Sequence, residues 1–382
     1  MITYEFLQQY WWFLISLVGG ILTFLLFVQG GQSMLFSLPK SDDERKIMLN
    51  VLGRTWEYTF TTLVTFGGAL FASFPLFYST SFGGAYWVWI VILLSFVLQA
   101  ISYEFHSKPG NIFGGKTYRI FLLINGIIGT FVIGVAVATF FTGSDFTVQT
   151  NNITQIGSPV ISRWGSAWHG LEALANVRNL CLGLAVLFLA RTQALLFFIN
   201  RVKHDDLEAR SKKALWYNAI PFVAFFLIFV IWTFLSEGYA VNPATGEVFM
   251  EKYKYFLNLV QMPVVLVVFI LGVLAVLYGI IATLLCKNYR KGIWFSGVGT
   301  VLTVCCLFLI TGFNNTAFYP SSTDLQSSLT IYNASSSFFT LKVMSVVSLI
   351  IPVVLAYIFY AWNALEKKRT DIQDVNEDEH AY

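Results

Sequence analysis

Hydrophobic side chains run the length of this chain in nine long blocks, parted by short polar stretches. The blocks lie near residues 10–36, 58–78, 85–103, 120–141, 177–200, 214–235, 257–285, 293–313 and 341–362. At ~1.5 Å per residue each is long enough to cross ~30 Å of hydrocarbon. The pattern predicts an all-α integral membrane protein with about nine transmembrane helices. Residues 1–365 read as one polytopic transmembrane domain and 366–382 as a solvated, mobile cytoplasmic tail. No fixed-period repeat and no linker divides the chain. A removable signal peptide is not expected, because Met1–Gln9 has no Lys or Arg and no small-residue cleavage site follows.

Composition supports a lipid-embedded body. Hydrophobic residues make up 56% of the chain and charged residues 12%, about half the charged share of a soluble protein. The basic residues then orient it. Eighteen of them fall in the groups Lys40–Arg54, Lys108–Arg119, Arg201–Lys213, Lys287–Lys291 and Lys367–Arg369, all on one side. Five (Arg163, Arg178, Lys252, Lys254 and Lys342) fall on the other. The positive-inside rule puts the N-terminus outside and the C-terminus in the cytoplasm. The net charge of +3 follows from the cytoplasmic loops and needs no nucleic-acid partner.

Polar groups inside apolar runs are the candidates for function, because lipid makes them costly. Glu57 stands where the second block begins, Glu104 where the third ends, and Arg191 well inside the fifth. One reading is a proton route, with the two carboxylates as carriers and Arg191 pairing or tuning. The other is interface placement, with the carboxylates reaching headgroups and Arg191 in a structural ion pair or snorkelling. Gln29 and Gln32, three apart on one helix face around Gly30-Gly31, read either as interhelical hydrogen-bonding groups or as part of a hydrated path. Gln99 is equally out of place.

The histidines exclude one chemistry. Haem held between membrane helices needs axial ligands at membrane depth, yet His106, His169, His204 and His380 lie at block edges, in loops or in the tail. Cys181, Cys286, Cys305 and Cys306 suit neither a zinc site nor a disulfide framework. No nucleotide-binding glycine loop, metalloprotease helix or nucleophile elbow is present.

Several stretches then become specific. Met1-Ile2-Thr3-Tyr4-Glu5 with Trp11-Trp12, Asp43-Glu44-Arg45-Lys46-Ile47-Met48 with Asn50, and Gly67-Gly68-Ala69-Leu70-Phe71-Ala72 with Pro75 and Tyr78 resemble subunit II of cytochrome bd ubiquinol oxidase. So do Val132-Ile133-Gly134-Val135-Ala136 and the Pro320-Ser321-Ser322-Thr323 loop with Ser328-Leu329-Thr330, Ala334-Ser335-Ser336 and Pro352. The order and spacing of these blocks carry the likeness from the first residue to the last span.

The resemblance implies two four-helix bundles plus one peripheral helix, in a bacterial cell (inner) membrane. It implies a quinol:oxygen oxidoreductase in which this chain is not catalytic alone. Subunit I would be the partner and would hold the b-type and d-type haems, and this chain would ligate none. A bound quinone, a small third subunit, and a proton or oxygen route are further implications. The chain also departs from the family. Gln29 and Gln32 stand where two aspartates often flank a glycine, Glu57 where Trp-Asp is usual, and Gln99-Ala100 where Arg-Pro is usual. Glu104 replaces an Asp, His106 an Arg, and Arg191-Thr192-Gln193-Ala194 a His-Gly-Ala or Gln-Gly-Ala pattern. Two other readings stay open at this stage: a secondary transporter or channel, and a structural assembly subunit.

Overall fold

Long apolar helices dominate the computed structural model, which describes all residues except 1, 109, 151, 153–159, 354–355, 358–359, 361–368 and 378–382. The chain opens with α1 (Tyr4–Leu25) and α2 (Phe27–Gln32), which together form one span, Tyr4–Gln32. Next come α3 (Asp42–Gly53), α4 (Trp56–Ser73) and α5 (Pro75–Phe77). A π-helical turn, Tyr78–Gly83, leads into α6 (Tyr86–Phe105). The next span is α7 (Gly115–Ile124), a π-helical segment Asn125–Gly129, and α8 (Thr130–Thr142). After a hairpin of β1 (Phe146–Val148) and β2 (Ser162–Trp164) come α9 (Val177–Arg201) and α10 (Asp205–Leu235). A second antiparallel hairpin, β3 (Glu237–Val241) and β4 (Val248–Lys252), precedes α11 (Lys254–Gln261), α12 (Pro263–Leu285), α13 (Gly292–Gly312) and α14 (Phe338–Ser348).

Among the described residues seven helices are long and apolar enough to span a membrane, or eight if one bent pair counts. The sequence pattern gives nine. One physical cause, a proline, accounts for part of the difference, and the reach of the described residues for the rest. Between Asp42–Ser73 and Pro75–Phe82 the chain turns by 116°. Pro75 has no N–H to donate and pushes Phe74 out of the helical region, to φ −131° and ψ 66°. The ninth block, 341–362, lies partly outside the described residues, which leave a shorter apolar helix, Phe338–Val353. Pro263 likewise cuts the 257–285 block into α11 and α12. Lys367, Lys368 and His380 also fall outside the described residues.

The core forms around α1. Trp12 is fully buried and donates Nε1–H to the Phe308 carbonyl at 3.0 Å. Gly20 lets α13 close in; a Cβ there would stand 2.6 Å from the Val301 carbonyl oxygen. The hairpins gather at one end of the bundle, where Ser144 pairs with Ser321 and the Ser321 hydroxyl donates to the Phe146 carbonyl. The other end carries α3, capped by the Ser41 hydroxyl accepting from Glu44 N–H at 3.2 Å. There Glu208 accepts from Lys212, Arg290 and Arg369 at 3.0–3.2 Å. The tail is not wholly solvated. Thr370 bridges to Val202, and Val375 of the short helix Ile372–Glu377 is buried against the α3 end.

Candidate functional site

Among the described residues, two gatherings of polar atoms inside the apolar body stand out, one toward each end. Toward the α3 end, α2, α6 and the π-segment Asn125–Gly129 bring Gln29, Gln32, Gln99, Tyr103 and Asn125 together, all buried. Gln99 Oε1 accepts from Gln29 Nε2 at 2.6 Å, from Gln32 Nε2 at 3.1 Å and from Asn125 Nδ2. Gln32 also donates to the Tyr103 hydroxyl at 3.1 Å and accepts from Asn125 Nδ2 at 2.9 Å. A carbonyl oxygen has two lone pairs, so three N–H donors oversubscribe it. Gln29 Oε1, Gln99 Nε2 and Asn125 Oδ1 are buried with no partner among the described residues.

The backbone makes this convergence. A π-turn adds a residue to the helical turn and often marks a functional position; here it carries Asn125 inward. Gly126 permits the approach, since a Cβ there would stand 2.5 Å from the Gln29 carbonyl oxygen. On the other flank a Cβ at Gly30 would collide with the Ala190 carbonyl on α9. Gln29, Gln32 and Gln99 are three of the positions where the chain departs from the resembled family, and they bond to one another. Asn125 and Tyr103 are members that sequence reasoning missed. Asn125 left a signal, an amide in the 120–141 apolar run. Tyr103, next to Glu104, left none.

The other sequence candidates stand apart from this cluster. Glu57 is exposed on α4, and its neighbour Trp56 stacks on Tyr103 with centroids 5.7 Å apart. Glu104 is exposed and pairs with Lys108 one turn on. Arg191 is half-buried, and its Nε has no partner among the described residues. His106, just past α6, has its imidazole pKa lowered by burial and by the Arg119 guanidinium.

Toward the hairpin end lies a cavity of about 240 Å³, walled by α1, α4, α6, α8, α9 and α13. Its floor is apolar: Gly19, Leu22, Leu63 and Phe66. Its mouth is polar, with Ser144, Asp145, Glu172, Asn176 and Asn179. Glu172 accepts from Gly170 N–H at 2.9 Å through Oε2, while its buried Oε1 has no partner among the described residues. Asn179 is held by the Thr142 hydroxyl at 2.8 Å and by the Ala173 carbonyl at 3.0 Å. No His, Met or Cys lines the cavity. Among the described residues no group of three or more His, Cys, Asp or Glu could hold a metal ion. Such a cavity suits an amphiphile with a polar ring and an apolar tail. Its polar mouth is built from the loop before β1, the 3-10 turn Leu171–Ala175 and the start of α9, where sequence reasoning nominated nothing.

Comparison with known proteins agrees with the sequence resemblance. A family model described as cytochrome bd terminal oxidase subunit II matches residues 7–365. Cytochrome bd-I ubiquinol oxidase subunit 2 of Escherichia coli (strain K12) is 28% identical over 379 residues, covering 94% of this chain and 93% of that one. Cytochrome bd ubiquinol oxidase subunit 2 of Bacillus subtilis (strain 168) is 24% identical over 369 residues, covering 94% and 95%. A chain of the bd oxidase structure from Geobacillus thermodenitrificans shares the fold at a TM-score of 0.58 and 13% identity, covering 95% of this chain and 99% of that one. The chain belongs to the cytochrome bd terminal oxidase subunit II family, and so is an integral membrane subunit of an oxidoreductase complex.

Proposed function

We propose, from that membership, that this chain is the haem-free subunit of a quinol:oxygen oxidoreductase and packs beside a haem-bearing subunit I. The complex oxidises membrane quinol and reduces oxygen to water. The hairpin end faces outward and the α3 end the cytoplasm, as the basic residues argue. The cavity at the hairpin end seats a quinone, its ring at the polar mouth near Glu172 and Asn176. A small third subunit is compatible with this reading, and ubiquinol and menaquinol both satisfy it.

One observation carries the haem-free assignment. The family match spans nearly the whole chain, and the four histidines lie at block edges, in loops or in the tail rather than at membrane depth. Any proton route through this subunit would be altered where relatives keep carboxylates. Gln29 and Gln32, at two of those positions, are neutral amides that exchange no proton near pH 7. Glu57 is the remaining candidate, facing outward where a partner subunit would meet it. The test is a pyridine-haemochrome assay on the separately expressed chain and on the complex purified through it. Haem is expected only in the complex, together with a second membrane subunit. Stoichiometric haem on the isolated chain, or solute uptake by it with no haem-bearing partner, would overturn the assignment.

A further inference from the structure

Leu184, Phe188, Arg191, Leu195 and Phe198 follow one another along α9 at steps of four, three, four and three, so they lie on one face of the helix. Neighbouring helices close most of the rest of its circumference. A Cβ at Gly183 would press on Phe131 and Val135 of α8, and the Ala190 carbonyl meets Gly30 of α2. Gln193 donates to the Thr300 hydroxyl on α13 at 2.6 Å, and Phe188 stacks on Phe225 of α10 with centroids 6.1 Å apart. At ~100° per residue, Arg191 points between the α8 contact and the α10 contact, into the seam these two helices leave. Toward the α3 end the seam is shut, because Leu195 and Phe198 are fully buried. Away from it the stripe is uncovered, with Leu184, Phe188 and Arg191 half-buried. The Arg191 guanidinium makes no hydrogen bond and no ion pair with any described residue, and its Nε is buried.

Depth decides what can pair with it. α9 runs from Val177 to Arg201, which puts Arg191 near the middle of its span. Lipid phosphates stand ~20 Å from the bilayer centre, farther than an arginine side chain reaches from there. Leu195 and Phe198 also bar the way to water at the α3 end. A cation held at this depth needs an anion at the same depth. We propose that the seam between α8 and α10 seats a transmembrane helix of another chain, which brings an Asp or Glu carboxylate to Arg191. The four-three stripe is the spacing of helix-on-helix packing. The guanidinium fixes the register, since one level of the incoming helix alone can offer the carboxylate to its fork. A phospholipid tail covers leucine and phenylalanine as well as a helix does, but its charge stays at the headgroup.

The test uses the whole complex in lipid nanodiscs. Arg191→Lys keeps the cation and supplies an amine. Dicyclohexylcarbodiimide, which is apolar, activates carboxyl groups inside the membrane. The amine nitrogen then displaces dicyclohexylurea, which carries off one carboxyl oxygen, and an amide bond joins the two chains. Mass spectrometry is expected to find the peptide around position 191 linked to an Asp or Glu inside an apolar segment of another chain. No link, a link to a carboxylate of this chain, or a link to the serine headgroup of a phospholipid overturns the proposal. Arg191→Leu reads the same pair by its sign. With the carboxylate present, the variant strands it in the membrane. The complex is then expected to melt lower than the parent and to retain the linked chain about tenfold less. With no carboxylate present, leucine relieves an unpaired charge and the complex melts higher. A melting temperature raised or unchanged therefore overturns the pairing. Arg191→Lys is expected to melt close to the parent; melting as low as Arg191→Leu would trace the effect to packing and not to charge, and overturns it too.

Discussion

The amide cluster near α3 and the cavity under the hairpins are both polar groups placed in an apolar bundle, but they are built in opposite ways. The cluster is closed. Glycines at 30 and 126 let three helices meet almost backbone to backbone, and the amides bond chiefly to one another. The cavity is open. Aromatic and aliphatic walls hold its helices apart, and its polar atoms gather at one end, on loops and the start of α9. Low dielectric raises the stakes of every buried polar group. A closed cluster of neutral amides meets that demand with hydrogen bonds and needs no charge. An open cavity meets it by keeping polar atoms near the surface and giving its depth to hydrocarbon. The first arrangement specifies how helices pack; the second leaves room for a ligand. Substitutions should therefore damage assembly at the cluster and ligand retention at the cavity.

The largest expected effect is at the glycines. Gly126→Leu places a side chain where the Gln29 carbonyl already stands, and overpacking of this kind costs about 3 kcal/mol or more. The complex is expected not to assemble, read as loss of the haem-bearing partner on affinity purification. Gly68→Leu is the control, since a Cβ there meets nothing within 4 Å, and it should assemble. Normal assembly of Gly126→Leu would mean that the close approach of the π-segment to α2 is not needed.

Next comes the hub. Gln99→Leu takes one acceptor from each of three donors: Gln29 Nε2 is left with none, at roughly 1–3 kcal/mol for a stranded group, while Gln32 Nε2 keeps the Tyr103 hydroxyl and Asn125 Nδ2 keeps Gln32 Oε1. Gln29→Leu strands far less, because its only bond in the cluster is the one to Gln99 and its Oε1 has no partner. Thermal unfolding of the detergent-solubilised complex should rank the two, with the drop for Gln99→Leu at least twice that for Gln29→Leu. Equal drops would show that the amides act as independent fillers and not as a network.

How much of this was legible in the sequence differs between the two regions. The cluster was partly visible, because an amide in an apolar run stands out one residue at a time: Gln29, Gln32 and Gln99 all did. What a run of letters does not display is that residues 26 to 70 positions away from Gln99 share its one oxygen, or that a π-turn aims Asn125 at them. The cavity was invisible, since its floor reads as ordinary apolar helix and its mouth as ordinary polar loop. The span pattern was legible except where proline decided the local backbone. Pro75 bends the second block and Pro263 divides the seventh, and a hydropathy block is blind to a missing N–H. The tail misled because its charges are plain to see, whereas the burial of Val375 depends on a surface built from residues far earlier in the chain.

A smaller effect, confined to activity, is expected at Glu57. It belongs to neither region, being exposed on α4 beside the Trp56–Tyr103 stack. If protons reach the partner subunit through this chain, an outward-facing carboxylate is placed to hand them across the interface, whereas the neutral amides are not. Glu57→Gln is expected to slow steady-state oxygen reduction severalfold with haem content and assembly intact. Full activity at unchanged haem content would move the route out of this subunit.

The smallest effect is expected at Glu104, and its smallness is informative. Its side chain is 56% exposed and pairs with Lys108, itself 53% exposed, four residues on and just past the end of α6. An exposed pair of this spacing contributes about 0.3–0.5 kcal/mol, and salt screens it further. Glu104→Gln should therefore leave thermal stability within about 0.5 kcal/mol of the parent. It should also leave oxygen reduction unchanged, because a carboxylate already held by an ammonium in water gains nothing as a carrier. Measuring Glu57→Gln and Glu104→Gln side by side separates the two readings of an acidic residue at a span end. If both slow turnover, the two carboxylates act in series, and the route runs along the surface of α4 and α6. If only Glu57→Gln does, Glu104 is interface placement, and the single outward carboxylate marks where the partner subunit takes up the proton.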